Sequence, residues 1–405
     1  MLASEQEPDI IIAGGGMVGA ALGLALSDSL LQIRLAEARP LHLIEQPDPL
    51  ERASLIAEGS ARFLQTLGTD IGRIGTPVKR MRVWDDDHFG GIQLDAEEAG
   101  AAQLGFIVEN RRLEQTLHQA LATRSNATLA YGARLRSAQP RGDEIGVDDG
   151  DRHWRTRLLA IAEGRESGLR QALGIPTLRS NYEQQGIIAT VWTERPHGNT
   201  AFQRFLPTGP IAMLPFSPAP DGSPRCSLVW SARDSRARAL MALEDETFLR
   251  ELQLAFGPVL GRLYRIGPRA AFPLSALHAR SYIDERSVLL GDSAHGVHPL
   301  AGLGVNLGLR DAECLADLVR EAARRGEDWG RRELLRRYEV TRRPDNLATL
   351  AATDSFHRLF SNRIRPLAWL RNAGMLATQL TPPLKRVLIR QAMGLGGRNH
   401  LPEKA

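Results

Sequence analysis

Short, unbroken apolar runs dominate the start of the chain. Asp9-Ile-Ile-Ile-Ala13 is β-branched, apolar and stopped by glycine, which predicts a buried strand. After Gly14-Gly15-Gly16-Met17-Val18-Gly19, the small and apolar run Ala20–Leu26 predicts a helix, and Gln32–Ala36 predicts a second strand ending at Glu37. Far downstream, Arg286–Leu290 predicts another apolar strand that opens directly onto Gly291-Asp292, and Leu309–Arg320 predicts a helix. Between these pieces the pattern changes. Gly186–Trp192, Pro210–Phe216 and Cys226–Trp230 are strand-like runs separated by proline and glycine turns. They predict a second, mainly antiparallel sheet inserted into the first domain, with residues 81–94 joining it. From Gly330 onward the spacing is helical, with Leu334, Leu335 and Tyr338 among Arg331, Arg332, Arg336, Arg337, Arg342 and Arg343. That predicts an amphipathic helix whose arginines face solvent. No internal repeat is evident.

Ile10–Ser27 is uncharged for long enough to suggest a membrane span. Gly14, Gly15, Gly16, Gly19 and Gly23 interrupt it, and polar or charged sequence closes both flanks, which argues against a span. The polar, acidic first nine residues lack the basic start of a secretory signal. The expectation is a cytoplasmic protein, with peripheral contact to the inner membrane left open.

Composition narrows the class. Of 405 residues, 43% are hydrophobic and 24% charged, ordinary proportions for a globular protein. The 51 basic and 47 acidic residues leave a net charge of only +4, which demands no polyanionic partner. With no basic patch interleaved with aromatics, nucleic acid is not expected. The two cysteines, Cys226 and Cys314, are far apart, so neither a disulfide framework nor a thiolate zinc site is expected.

Strand, glycine turn, helix, strand and acid form one unit. Gly14 suits a tight turn, Gly16 lets a pyrophosphate approach the backbone, and Gly19 lets helix and strand pack closely. Glu37, about 20 residues beyond the turn, is placed to accept ribose hydroxyls. This unit alone does not separate NAD from FAD. The second cluster does. Asp292, at a strand's end above a glycine-rich turn, suits the hydroxyls of a polyol, and ribitol belongs to FAD. The Gly302–Gly308 segment then aims a helix start at whatever lies above it. His295 and His298 lack a third ligand nearby, so no metal site is expected; a turn with solvent-facing histidines is the alternative to a cofactor role.

The Gly291–Asp311 segment resembles the GDAAHxxHPxAGQGxNLGLRD signature of class A flavin monooxygenases, in the branch that acts in ubiquinone biosynthesis. The resemblance runs on through Tyr182–Val191, Glu194–His197, Phe202–Phe216, Ser227–Trp230, Ala271–Leu274, Tyr338–Asn346 and Ala392–Gly394. Val83–Asn110 looks most like the 2-polyprenyl-6-methoxyphenol hydroxylases. The resemblance implies an α/β fold: a Rossmann-like FAD domain, an inserted antiparallel substrate sheet and a C-terminal helical segment, as in para-hydroxybenzoate hydroxylase. The FAD domain would comprise 1–78, 104–176 and 280–330, the substrate domain 79–103 and 177–279, and the helical region 331–405. FAD contacts carried over are Gly14, Gly16, Gly19, Glu37, Arg52, Asn110, Asp292, Gly302, Gly304, Val305 and Asn306. Two positions depart from the family: Glu163 stands for the aspartate of an Asp-Gly pair, and Leu303 for the glutamine of AGQG.

The resemblance further implies that NAD(P)H docks transiently, since only one glycine-turn–acid unit exists, and that O2 then yields a flavin C4a-hydroperoxide that hydroxylates an activated ring. A polyprenylated methoxyphenol is the expected substrate. Around it would lie His298 and Pro299 in the turn under the flavin, and Arg204 and Phe205 on the second sheet; no general base is assigned. His88, His197 and Arg204 also fit structural roles. Other quinone-biosynthesis proteins, an acidic membrane surface at the arginine helix and a second copy of the chain are the candidate partners. Hydroxylation of another ring position or metabolite, and a non-catalytic flavin-binding subunit suggested by Glu163 and Leu303, are the alternatives.

Overall fold

The computed structural model describes residues 7–85, 91–296, 303–360 and 378–395. Ile10–Ala13 lies inside a six-stranded sheet ordered Ile283–Asp284, Ser287–Leu289, Leu158–Ile161, Ile10–Ala13, Ile33–Glu37, Ala127–Tyr131. Every neighbouring pair is parallel except the outermost, Ile283–Asp284 with Ser287–Leu289. Parallel strands are covered on both faces. That is why Ile10, Ile11 and Ile12 are all fully buried and the sequence shows a continuous apolar run rather than alternation. The helices Met17–Leu26, Asn110–Ala122 and Leu303–Arg324 share this core with the meander Ser137–Arg141, Glu144–Asp148 and His153–Thr156.

The second sheet is built around Thr177–Thr193, which pairs antiparallel with Ala270–Ala279 on one side and Arg225–Arg233 on the other. Beyond the latter lie Ile211–Phe216, Thr200–Phe205, Arg80–Asp85 and Gly91–Asp95. One internal pair is parallel, Thr200–Phe205 with Arg80–Asp85. Residues 80–95 therefore sit in the sheet made mostly by 177–279, and the inserted antiparallel sheet expected from the turn-punctuated runs is present. Its outer face carries Ile187, Val191, Phe202, Met213 and Trp230 against Phe248, Leu252 and Phe256 of the helix Asp245–Phe256. Its inner face presents Ala201, Leu214 and Phe216 to Leu55, Val78 and Ile107 of the first domain.

Three elements differ from expectation. The helix expected at Leu309–Arg320 runs Leu303–Arg324, because Gly304 and Gly308 are not turn residues here. A Cβ at Gly308 would lie 2.5 Å from Val18 Cγ2, so this glycine lets two helices touch. Thr177–Thr193 outruns its apolar core because both its edges are paired. The arginine helix is Arg332–Phe360, and it is not simply a solvated surface. Leu335 and Tyr338 are fully buried, and Arg342 is itself buried against Asp311.

Candidate cofactor site

Ile10–Ala13, Ile33–Glu37, Leu158–Ile161 and Ser287–Leu289 run parallel, so their C-terminal ends share one sheet edge. The chain leaves that edge at Gly14, at Glu37, at Glu163 and at Gly291-Asp292. Val18, in the helix after the first turn, approaches Gly291 as well as Gly308, bringing the two glycine-rich segments together.

Gly14 has φ +100°, and a Cβ there would stand 2.4 Å from Ala162 O; one on Gly19 would stand 1.9 Å from Gly14 O. The protein itself demands both glycines. Gly16 is different: a Cβ would meet nothing nearer than Glu114 Oε1 at 3.9 Å. That open face lies at the start of Met17–Leu26, a helix with no side-chain cap and no acid in its first turn. Its first backbone N–H groups point into this space, and the local field there favours an anion. A pyrophosphate fits this cradle.

Gly15 is held from both sides. Its N–H donates to Glu37 Oε2 (2.7 Å), and its carbonyl lies 2.6 Å from His118 Nε2. His118 stacks on Tyr131, with Nδ1 3.0 Å from the Tyr131 hydroxyl. Glu37 Oε1 also takes the backbone N–H and Nε of Arg39, each at 2.8 Å. Burial pushes the Glu37 carboxyl up, but Arg39 and the Gly15 N–H outweigh it and hold it below the usual value. Glu37 is thus ionised and oriented. His118 was missed from the sequence; its only signal is its place on the buried side of a helix beside Leu117 and Leu121.

Asp292 keeps its carboxylate partly open to solvent, with Arg165 Nη2 3.7 Å away. Around it, Arg170, almost wholly buried, donates to Ser293 O (3.0 Å) and to Arg165 O (2.9 Å). Glu163 caps the next turn: Oε2 accepts from Ser167 Oγ (2.6 Å) and from Leu169 N (3.0 Å). Arg52 is exposed and paired with Asp48 at 2.7 Å, and its carbonyl accepts the Asn110 N–H at 2.8 Å. Asn110 Oδ1 is buried with no partner among the described residues, an acceptor awaiting a donor. Asn306 uses its amide on the strand Ala53–Ala57, with Oδ1 taking Ala57 N (2.8 Å) and Nδ2 giving to Leu55 O (2.7 Å). Gly304 and Val305 lie in the first turn of the helix Leu303–Arg324.

His298, Pro299, Gly302 and His88 lie outside the described residues. Arg204 donates from Nη1 to Ala255 O (2.9 Å), on the helix-covered face of the second sheet; strand alternation puts Phe205 on the other face. His197 has both ring nitrogens on backbone partners, Phe216 O and Asn199 N.

His295 is neither solvent-facing nor beside a metal cluster among the described residues. It is fully buried, with Nε2 2.5 Å from Asp311 Oδ2. Asp311 also accepts Gly291 N–H (3.0 Å), Arg342 Nε (2.8 Å) and Asn346 Nδ2 (3.2 Å). Burial pushes its carboxyl up, but His295 and Arg342 prevail and bring it to about 2. The Asp311–Arg342–Asn346 group was not anticipated, because Asp311 lies more than 30 residues before Arg342 and Asn346.

The FAD binding domain family matches residues 7–353 of this chain. The chain belongs to that family and is an FAD-dependent monooxygenase. It is 38% identical over 397 residues to the ubiquinone hydroxylase UbiL of Rhodospirillum rubrum, covering 96% of this chain and 90% of that protein. It is 34% identical over 398 residues to the 3-demethoxyubiquinol 3-hydroxylase of Escherichia coli, covering 97% of this chain and all of that one. Within the family it is a class A flavin hydroxylase of the ubiquinone branch. In fold it resembles the p-nitrophenol 4-monooxygenase PnpA of Pseudomonas putida, with TM-score 0.80, 17% identity and coverage of 97% and 99% of the two chains.

Proposed function

We propose that the protein hydroxylates a polyprenylated methoxyphenol in ubiquinone biosynthesis, consuming NAD(P)H and O2. The observation that carries this is the meeting of two glycine-rich segments at one sheet edge, with an ionised Glu37 at one end and the open carboxylate of Asp292 at the other. Bound FAD would supply the electron and oxygen chemistry. One oxygen atom of O2 enters a ring C–H bond, and the other leaves as water with the two electrons of NAD(P)H.

The chain's residues bind and orient. Gly14, Gly16 and Gly19 form the pyrophosphate cradle, Glu37 accepts at the ribose, and Asp292 accepts at the ribitol. Arg52, just before the strand Ala53–Ala57, and Asn110, at the start of the helix Asn110–Ala122, would face the cofactor, with Asn110 Oδ1 open for a donor. Gly302, Gly304, Val305 and Asn306 would offer backbone N–H groups at a helix start, where developing negative charge is favoured. His298 and Pro299, carried over from the family resemblance, would position the ring. Arg204 would act at one remove, holding its strand to the helix Asp245–Phe256.

The substrate is lipid-soluble, and no helix among the described residues is long and apolar enough to cross a membrane. Pickup from the membrane surface or hand-over from another quinone-biosynthesis protein would then supply the phenol. The E. coli relative's name places its reaction at position 3 of a demethoxyubiquinol. That favours a second reading, hydroxylation at another ring position. Deleting the gene and identifying the polyprenylated ring that accumulates separates the two. NADPH oxidation by purified protein that no polyprenylphenol stimulates would leave only a flavin-binding subunit.

A further inference from the structure

The arginine helix is an appendage in sequence, yet one of its side chains reaches the turn that carries Asp292. Arg342 is buried and donates from Nε to Asp311 Oδ1 (2.8 Å), from Nη1 to Asp345 Oδ2 (2.8 Å) and from Nη2 to Asn346 Oδ1 (3.0 Å). Asp311, wholly buried, uses its other oxygen on His295 and on the backbone N–H of Gly291. Four donors thus converge on one carboxylate: Gly291 N, His295 Nε2, Arg342 Nε and Asn346 Nδ2.

Gly291 has φ +55°, a left-handed conformation from which the short Gly291–Ser293 turn launches Asp292. Nothing else among the described residues is seen to hold that N–H. A second anchor, Arg170 on Ser293 O, fixes the far side of the same turn. Among the described residues the carboxylate of Asp292 itself has only Arg165 near it, at 3.7 Å, too long for a strong hydrogen bond. Its placement therefore depends on the backbone beneath it.

We infer that Asp311 and Arg342 are positioning residues for the cofactor: Asp311 fixes the Gly291 N–H so that Asp292 meets the ribitol, and Arg342 keeps Asp311 ionised in the core. This rests on the reading of Asp292 as a cofactor contact. A buried carboxylate without its cation takes up a proton or rearranges. A protonated or displaced Asp311 offers fewer acceptor sites to the four donors, and the Gly291 turn loosens. The C-terminal helix on this account serves the flavin site through Asp311 and the Gly291 turn.

The test uses the full chain, stripped of FAD and reloaded, with three measurements: FAD affinity from flavin fluorescence, the resolved shoulder of the bound flavin's visible band, and apo-protein melting. Arg342→Gln is expected to weaken FAD binding about tenfold or more and blur the band, with Arg342→Lys falling between Gln and wild type. The double variant Asp311→Asn/Arg342→Gln removes both charges, so apo melting is expected to recover toward wild type while FAD binding stays weak, because a neutral amide oxygen holds the Gly291 N–H and His295 less firmly than the carboxylate oxygen that serves both. Wild-type affinity in Arg342→Gln, Lys no better than Gln, or affinity that recovers together with melting in the double variant would each overturn the inference. Asp292→Ala separates the underlying reading: unchanged affinity there removes Asp292 from the site, whereas weakened affinity there with intact Arg342→Gln binding removes only the positioning role.

Discussion

A single glycine can be required by the protein or by its ligand, and the first turn contains both kinds. Gly19→Ala sets a Cβ against Gly14 O, so the apo protein should lose about 1–3 kcal/mol and FAD affinity together. Gly16→Ala meets open space, so apo stability should hold within about 0.5 kcal/mol. FAD affinity should nevertheless fall about tenfold, a cost of about 1.4 kcal/mol in titration. Equal effects of the two substitutions on apo melting would contradict this division. His278 gives a pH signature. Buried, and facing Tyr282, Arg343 and His295, it is brought down to about 4 by burial first, then by Arg343 and His295. Its folded pKa lies below its ordinary value near 6.5, so the unfolded chain binds the proton more readily. Stability should fall as the pH drops from about 6.5 toward about 4, and His278→Gln should flatten that limb in urea titrations.

At the scale of elements, the two departures from the family pattern have separate fates. Leu303 opens a helix, and its side chain lies outside what is described. Glu163 turns its carboxylate to the N-terminus of the short helix Gly168–Ala172, where Ser167 Oγ and Leu169 N take it up. Restoring the shorter acid by Glu163→Asp should withdraw that cap and cost about 1 kcal/mol in denaturant melts. The arginine helix divides in the same way. Arg332, Arg336 and Arg337 are exposed, as amphipathic spacing suggests, while Arg342 is taken inward by a charge the local pattern does not contain.

Across the whole molecule, two of the contacts that join the cofactor domain to the inserted sheet are open to test. Glu51, in a left-handed conformation at φ 46°, accepts from Thr190 Oγ1 and pairs with Arg225, both at 2.7 Å. The tail helix Pro382–Ala392 is the second. Its Ile389 and the following Met393 are buried among Leu55, Val78 and Leu94, Lys385 pairs with Glu98 at 2.7 Å, and Met393 O accepts the Gly59 N–H at 2.9 Å. Ile389→Ala should therefore cost about 2–5 kcal/mol, read as a lowered melting transition for both domains together. A transition lowered in one domain alone would mean that the tail staples nothing.

The glycine turn, Glu37, the strand ending at Asp292 and the inserted sheet were legible in the sequence because each is local. Period, β-branching and turn residues act over a few positions, and the chain spells them out in order. Arg342 on Asp311, His118 on Gly15, Asn306 on Ala53–Ala57 and the inward Glu163 were decided only by the tertiary structure. Each is a polar group taken out of water, and burial obliges it to find a partner wherever packing happens to bring one. That partner is chosen by distance in space, which no spacing along the chain records.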